Sequence, residues 1–353
     1  MTLPLTTPPK NICILRLSAI GDITHVLPTV RSIQHQWPDT KITWIIGKLE
    51  AQLISDIPDI DFIVFDKAAG RAAFKILRQQ LKGKTFDVLL HMQISLRASL
   101  VSLFVKAPIK LGFNKPRARN LQTLFTNHRI SPRSDRQHML DGALEFAHAL
   151  GIKKDIIEWN IPVPEDPDYL AEMVPGGKYM VINPCTSARA MRKNWRIWRA
   201  DSYAQLVDFI SEEYGLPVVL TGGPDQAETQ YGQSITTLSM HKPVNMIGKT
   251  SLKQLLTILN NAEVVIAPDT GPVHMANACG TQTIGLYAGT NPMRAGPYRY
   301  LDDVVNAYPE AVKNETGKTV DQIHWGKRVR DPAVMDLIRV DDVINKLKQV
   351  YQA

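Results

Sequence analysis

Asn11-Ile12-Cys13-Ile14-Leu15-Arg16-Leu17-Ser18-Ala19-Ile20-Gly21-Asp22 is the stretch that decides the fold. Its unbroken apolar start reads as a strand buried on both faces over 11–17. Gly21-Asp22 closes a short loop, after which Val26, Val30, Ile33 and Trp37 recur as one stripe of a helix over 23–37. Outward from this unit the alternation continues, with strands expected at 41–46, 62–65 and 86–92 and helices at 51–55, 72–82 and 96–105. The passage 161–167, with three prolines, breaks both periods and reads as a linker. Beyond it, strands are expected at 179–183, 217–221, 263–267 and 283–287. Helices are expected at 202–213, 227–236, 252–260, 272–279 (closed by Gly280) and 340–351. Alternating strands and helices specify parallel sheets with crossover helices, so the fold class is α/β. Two domains follow, 1–165 and 166–353, with the last helix left free to pack back on the first. The default site is the cleft between them, in loops that follow strands.

Composition narrows the function. At 353 residues, 44% hydrophobic and 21% charged, the chain fits two domains of about 150 residues and carries too little charge for disorder. The longest apolar stretch, 98–105, is far short of the about 18 residues a membrane span needs, and residues 1–10 lack the pattern of a secretory signal. Cys13, Cys185 and Cys279 are widely spaced in apolar surroundings; they are expected to be reduced, buried and cytosolic. The net charge of +7 is uneven: 1–164 carries +9 and the remainder −2. Eight basic residues between Lys106 and Arg136 face one acid, Asp135. Such a stretch is either a solvated face or a field that draws an anionic partner.

Several chemistries are missing. No G-x-G-x-x-G is present, and Gly248-Lys249-Thr250 lacks the P-loop's first glycine, which is Pro243 here. No H-E-x-x-H occurs, and no motif calls for a divalent metal or another cofactor. The basic stretch holds only Phe113 and Phe125 for stacking, so no nucleic acid partner is expected.

Four loops remain, each after a strand. Asp22 sits at the start of a helix, where a carboxylate either caps the backbone or accepts a proton from a ligand. His25, one turn on, either packs or orients Asp22. In Asp269-Thr270-Gly271-Pro272-Val273-His274 a strand runs straight into a helix whose free N–H groups suit a phosphate. The loop 183–195 brings Arg189, Arg192 and Lys193 beside Thr186 and Ser187. It is a solvated basic loop or the cationic partner of a diphosphate leaving group. In 221–228, Asp225 and Glu228 are placed to meet ribose hydroxyls.

In combination these residues resemble the ADP-heptose:lipopolysaccharide heptosyltransferases, inverting glycosyltransferases of the GT-B fold, with two Rossmann-like domains facing across a cleft. The run 17–28 resembles that family's first loop and helix. Asp269-Thr270-Gly271 with His274 resembles its nucleotide-sugar signature, and Arg192-Lys193-Asn194-Trp195 its phosphate-binding loop. Gly112-Phe113-Asn114, with Gln93 and Arg97, resembles the acceptor side of the type that adds the first heptose. The resemblance implies Asp22 as catalytic base. It implies Lys193, Thr186 or Ser187, Glu228, Asp269, Thr270, Gly271 and His274 around an ADP-heptose donor. Ser18, Gly21, Gln93, Arg97, Arg119 and His138 would meet the anionic Kdo–lipid A acceptor. It further implies a cytoplasmic enzyme held peripherally and electrostatically at the inner membrane. Two other readings stay open: a GT-B transferase for another nucleotide sugar, and a non-catalytic module that binds polyanions.

Overall fold

A computed structural model describes residues 2–131, 134–174, 177–186 and 196–352. Two compact units divide the chain, Met1–Pro162 and Val163–Ala353. The division falls before residue 165, and Pro164 already bonds within the second unit, its carbonyl accepting the Thr257 hydroxyl. Asp166 accepts a hydrogen bond from the Tyr169 N–H and caps a helix that starts at Pro167.

The first unit runs β1 (Asn11–Leu15), α1 (Ile20–Gln36), β2 (Lys41–Gly47), α2 (Lys48–Ile54), β3 (Ile60–Phe65), α3 (Arg71–Gln80), β4 (Val88–His91), α4 (Leu96–Ser102), β5 (Ile109–Gly112), β6 (His128–Arg129) and α5 (Met139–Leu150). Its strands lie in the order β3-β2-β1-β4-β5-β6, all parallel. The central strand is apolar on both faces because helices cover both. Cys13 and Leu15 pack with Leu77, Phe86 and Val101 on one side. On α1 the expected stripe is fully buried at Val30 and Ile33.

The second unit repeats the plan with α6 (Pro167–Met173), β7 (Met180–Ile182), α7 (Ala200–Tyr214), β8 (Val218–Leu220), α8 (Gln226–Leu238), β9 (Val244–Asn245), α9 (Leu252–Asn260), β10 (Val265–Pro268), α10 (Gly271–Cys279), β11 (Thr283–Tyr287), α11 (Pro292–Ala295), β12 (Val305–Asn306), α12 (Tyr308–Thr316) and α13 (Val340–Val350). The order β12-β11-β10-β7-β8-β9, all parallel, is the same succession as in the first unit. The last helix stays with this unit: Val343 and Leu347 of α13 sit in its core, and Lys348 lies over the Phe209 ring.

The structure corrects the sequence reading at its edges. Helix α1 begins at Ile20, which puts Asp22 inside the first turn rather than ahead of it. The strands β5, β6, β9 and β12 and the helices α5, α6, α11 and α12 have no counterpart in the expected elements. The two-residue strands are too short to show a period, and α5 is apolar on several sides, which hides its stripe. Cys279 is half-buried rather than buried.

Gly47 marks where β2 and the loop after β1 touch. Its N–H donates to the Leu17 carbonyl, and a Cβ there would stand 2.3 Å from that oxygen and 2.4 Å from the Glu50 carboxylate. Gly47→Ala is expected to destabilise the protein by about 1–3 kcal/mol. Urea unfolding should show the midpoint falling at constant slope; an unchanged midpoint would mean that the loop yields freely.

Candidate active site

In each sheet, successive strands run outward in opposite directions from one central pair, β1/β4 in the first unit and β7/β10 in the second. Crossover loops diverge there and leave a crevice at the carboxyl ends of the strands. The Asp22 and Asp269 loops both sit at such a point.

In the first unit, Asp22 Oδ2 accepts the Ala19 N–H at 3.1 Å and pairs with Arg16 Nη2 at 2.5 Å. Arg16 also donates to the Ser18 and Met92 carbonyls, tying the ends of β1 and β4 together. Gln93 completes the latch, accepting from the Leu17 N–H at 2.6 Å and donating to Ser18 Oγ at 3.2 Å. Beside this latch opens a cavity of about 590 Å³ whose lining includes Ser18, Gln93, Arg97, Lys48 and Glu50. The sequence reading missed Arg16 and Glu50. Glu50 is buried, and burial pushes its carboxyl pKa up against the lowering effects of a backbone hydrogen bond, Lys67 and Arg16.

Three acceptor candidates stand differently from Ser18, Gln93 and Arg97. Gly21 lies in the first turn of α1, where its carbonyl accepts the Thr24 hydroxyl. Arg119 is exposed, away from the cavity lining, with Nη1 donating to the Pro116 and Ala118 carbonyls. His138 is buried and caps α5, its Nδ1 accepting the Leu140 N–H. His25 packs edge-on against it at 5.2 Å and is a core histidine. The basic stretch is less solvated than its sequence suggests. Arg117 pairs with Glu145 beneath Phe113, and Lys110 Nζ is half-buried against the Ser102 carbonyl. Asn114 accepts from Arg117 Nε, so it too is occupied within the fold.

In the second unit, Asn183 at the end of β7 is the hub. Its amide nitrogen donates to the Cys185 carbonyl at 2.9 Å and lies 3.5 Å from Thr270 Oγ1, while its Oδ1 accepts the Thr221 hydroxyl. Asp269 is clamped by Arg196, whose Nη1 reaches both its Oδ2 (2.9 Å) and its carbonyl (2.6 Å), with His274 Nε2 3.8 Å away. Burial raises the Asp269 carboxyl pKa, but His274, Arg196 and the Thr290 hydroxyl outweigh it and hold the group well below the usual carboxylate range. Helix α10 begins next to this clamp with no side-chain cap from Thr270, so the N–H groups of Gly271 and Val273 (Pro272 has none) have no side-chain partner among the described residues and suit an anion. Thr186, in the segment after β7, is buried, its hydroxyl without a hydrogen-bond partner among the described residues. Glu228 is buried against Gly223, whose N–H it accepts at 2.7 Å; burial raises its pKa. Ser187, Arg189, Arg192 and Lys193 lie outside the described residues. The P-loop look-alike is structural: Lys249 Nζ donates to the Asn245 carbonyl of its own turn.

A carboxylate fixed at one switch point and an uncapped, cation-braced helix start at another are the parts of a nucleotide-sugar transferase. The model of glycosyltransferase family 9 (heptosyltransferase) matches residues 74–324, and the chain belongs to that family. Over 348 residues, 98% of each chain, it is 39% identical to the "lipopolysaccharide core heptosyltransferase OpsX" of Haemophilus influenzae. Among solved structures it is similar to a family 9 glycosyltransferase from Veillonella parvula (TM-score 0.77, 19% identity, 97% of each chain). It is also similar to the E. coli heptosyltransferase WaaC with ADP (TM-score 0.69, 20% identity, 96% of this chain and 97% of that one). The fold is thus α/β of the GT-B type, and the protein is a glycosyltransferase. A merely polyanion-binding module is set aside.

The Arg196–Asp269 clamp has a measurable signature. Asp269→Asn is expected to cost about 2–4 kcal/mol at neutral pH, because it leaves a half-buried guanidinium without its counter-charge. The folded-state pKa of Asp269 lies below its unfolded value of about 3.9, so this stability is present above that pH and is lost as pH falls. The stability gap between the two proteins should therefore be constant near neutral pH, begin to narrow below about pH 4 and go on closing as the pH falls further toward the folded-state value. A gap independent of pH would show that the carboxylate's charge is not what stabilises the turn.

Proposed function

We propose that the protein moves a heptose from ADP-heptose to the anionic inner core of lipopolysaccharide, with inversion at the anomeric carbon, at the cytoplasmic face of the inner membrane. The substrate class rests on full-length likeness to a lipopolysaccharide core heptosyltransferase. For the mechanism, one observation carries the reading: both Asp22 contacts fall on Oδ2. Oδ1 has no hydrogen-bond partner among the described residues and is left for a substrate hydroxyl.

In this reading an acceptor hydroxyl gives its proton to Asp22 Oδ1 while its oxygen attacks the anomeric carbon. The bond from that carbon to the ADP β-phosphate oxygen breaks, and ADP leaves with the electron pair. Lys193, the N–H groups at Thr270–Gly271 and the hydroxyl of Thr186 or Ser187 take up the charge that develops on the diphosphate. Asp269, clamped by Arg196 and flanked by His274, holds that turn in shape rather than touching phosphate, which its charge would repel. Glu228, buried under the loop after β8, is assigned to the adenosine ribose. On the acceptor side, Ser18, Gln93 and Arg97 are supported by their place in the cavity lining. Gly21 shapes the first turn of α1, Arg119 supplies charge at the surface, and His138 supports the site from below by capping α5.

Asp22→Asn is expected to lower kcat by at least about 100-fold while ADP binding, read by titration calorimetry, is unchanged. An unaltered kcat would remove Asp22 from the chemistry. Because cationic side chains and backbone N–H groups are assigned the leaving charge, saturating EDTA is expected to leave turnover within about twofold. A loss restored by adding a divalent ion would overturn that assignment.

A further inference from the structure

The first unit carries an apolar face that its own fold does not cover. Half of the large hydrophobic side chains that stand most exposed among the described residues fall between Ile94 and Leu124. On α4, Leu96 and Leu100 point outward together with Leu103 just beyond it, which is 60% exposed, while Ala98 and Val101 are buried. Apart from Arg97, the outward side of this helix is therefore leucine, where a helix on a water-facing surface carries mainly polar residues outside. A second segment joins it. Leu121 and Leu124 are 63% and 75% exposed.

This segment is held in place. Gln122 is buried beneath it and donates to the His91 and Gln93 carbonyls, and Asn120 Nδ2 donates to the Ile94 carbonyl at 3.0 Å. Leu121 has φ +61, the left-handed region that leucine adopts only at a cost. An exposed leucine kept in a strained conformation by hydrogen bonds on either side of it is not an accident of a loose loop.

The chemistry of the surroundings selects the partner. No Asp or Glu occurs between Asp87 and Asp135. Exposed Arg97, Lys106, Lys115, Arg119 and Arg129 come from the same stretch as the leucines. Exposed apolar side chains on a stretch that carries cations and no acid match an anionic lipid surface, with its acyl boundary below and phosphates above. The face also adjoins the acceptor cavity: Ser95, which caps α4, and Arg97 both line it.

We propose that α4 and the 121–124 turn insert into the headgroup–acyl boundary of an anionic bilayer, bringing the cavity to the level of a lipid-linked sugar. This rests on the acceptor side assigned above and replaces purely electrostatic attachment with insertion.

The test is sedimentation with vesicles of phosphatidylcholine alone and of phosphatidylcholine with phosphatidylglycerol, at low and at high salt. The wild-type protein is expected to bind the anionic vesicles and to keep a bound fraction in high salt. The triple variant Leu100→Ser, Leu103→Ser, Leu124→Ser should lose at least about tenfold in vesicle partition while turning over a delipidated, soluble acceptor normally. Equal sedimentation of both proteins, or complete release of the wild type by salt, would overturn insertion. A wild-type dimer in light scattering that the variant lacks would overturn it too, by giving the face to a second copy. Should the triple variant fail to fold, Leu100→Trp reads the same point: its emission is expected to shift blue on anionic vesicles, and no shift contradicts the proposal. Failure of the wild type on the soluble acceptor would instead count against the heptosyltransferase reading, leaving the vesicle result to stand by itself.

Discussion

Arg16 holds Asp22 at the carboxyl end of β1, and the chemistry assigned to the first unit depends on that hold. The pair is partly exposed, so its net worth to stability is on the order of 1 kcal/mol or less. Its importance is geometric. By engaging Oδ2 together with the Ala19 N–H, Arg16 fixes the plane of the carboxylate and leaves one oxygen to act. Because Arg16 also grips the Met92 carbonyl, that orientation is tied to the register of β1 against β4, the most central pairing of the sheet.

The second unit solves a related problem with related parts. Arg196, from the segment after β7, clamps Asp269, from the turn after β10, and so again joins the two strands flanking the switch point. There the carboxylate is more enclosed and more heavily braced, which suits a scaffold better than a proton acceptor. Two copies of one topology thus put an Arg–Asp pair at the same place and differ in what each leaves open. The first leaves a carboxylate oxygen, and the second leaves the N-terminus of α10.

Much of this was legible in the sequence because it is periodic. The strand, loop and helix from Asn11 to Trp37, and the turn from β10 into α10, announce themselves by apolar runs and by Gly and Pro at the breaks. Asp22 and Asp269 could be picked out as residues following strands. What could not be read depends on side-chain reach. Nothing in the spacing of Arg16 says that it folds back onto Asp22, and nothing marks Arg196 apart from the other cations of its loop. His138 looked like a ligand-facing residue and proved to be a buried helix cap, since capping by Nδ1 leaves no periodic trace. The basic stretch misled in the same way. Counting charges could not show that Arg117 and Lys110 turn inward, nor that the leucines beside them turn outward.

A lone base acting through one oxygen, the role proposed for Asp22, implies a single in-line displacement, with no glycosyl group ever attached to the protein. The stereochemistry of the product tests this most directly. When ADP-heptose and a Kdo-containing acceptor are incubated with the enzyme, NMR of the new glycosidic bond should show the anomeric configuration inverted from that of the donor. A product with the donor's configuration retained would require two displacements and would contradict the role given to Asp22.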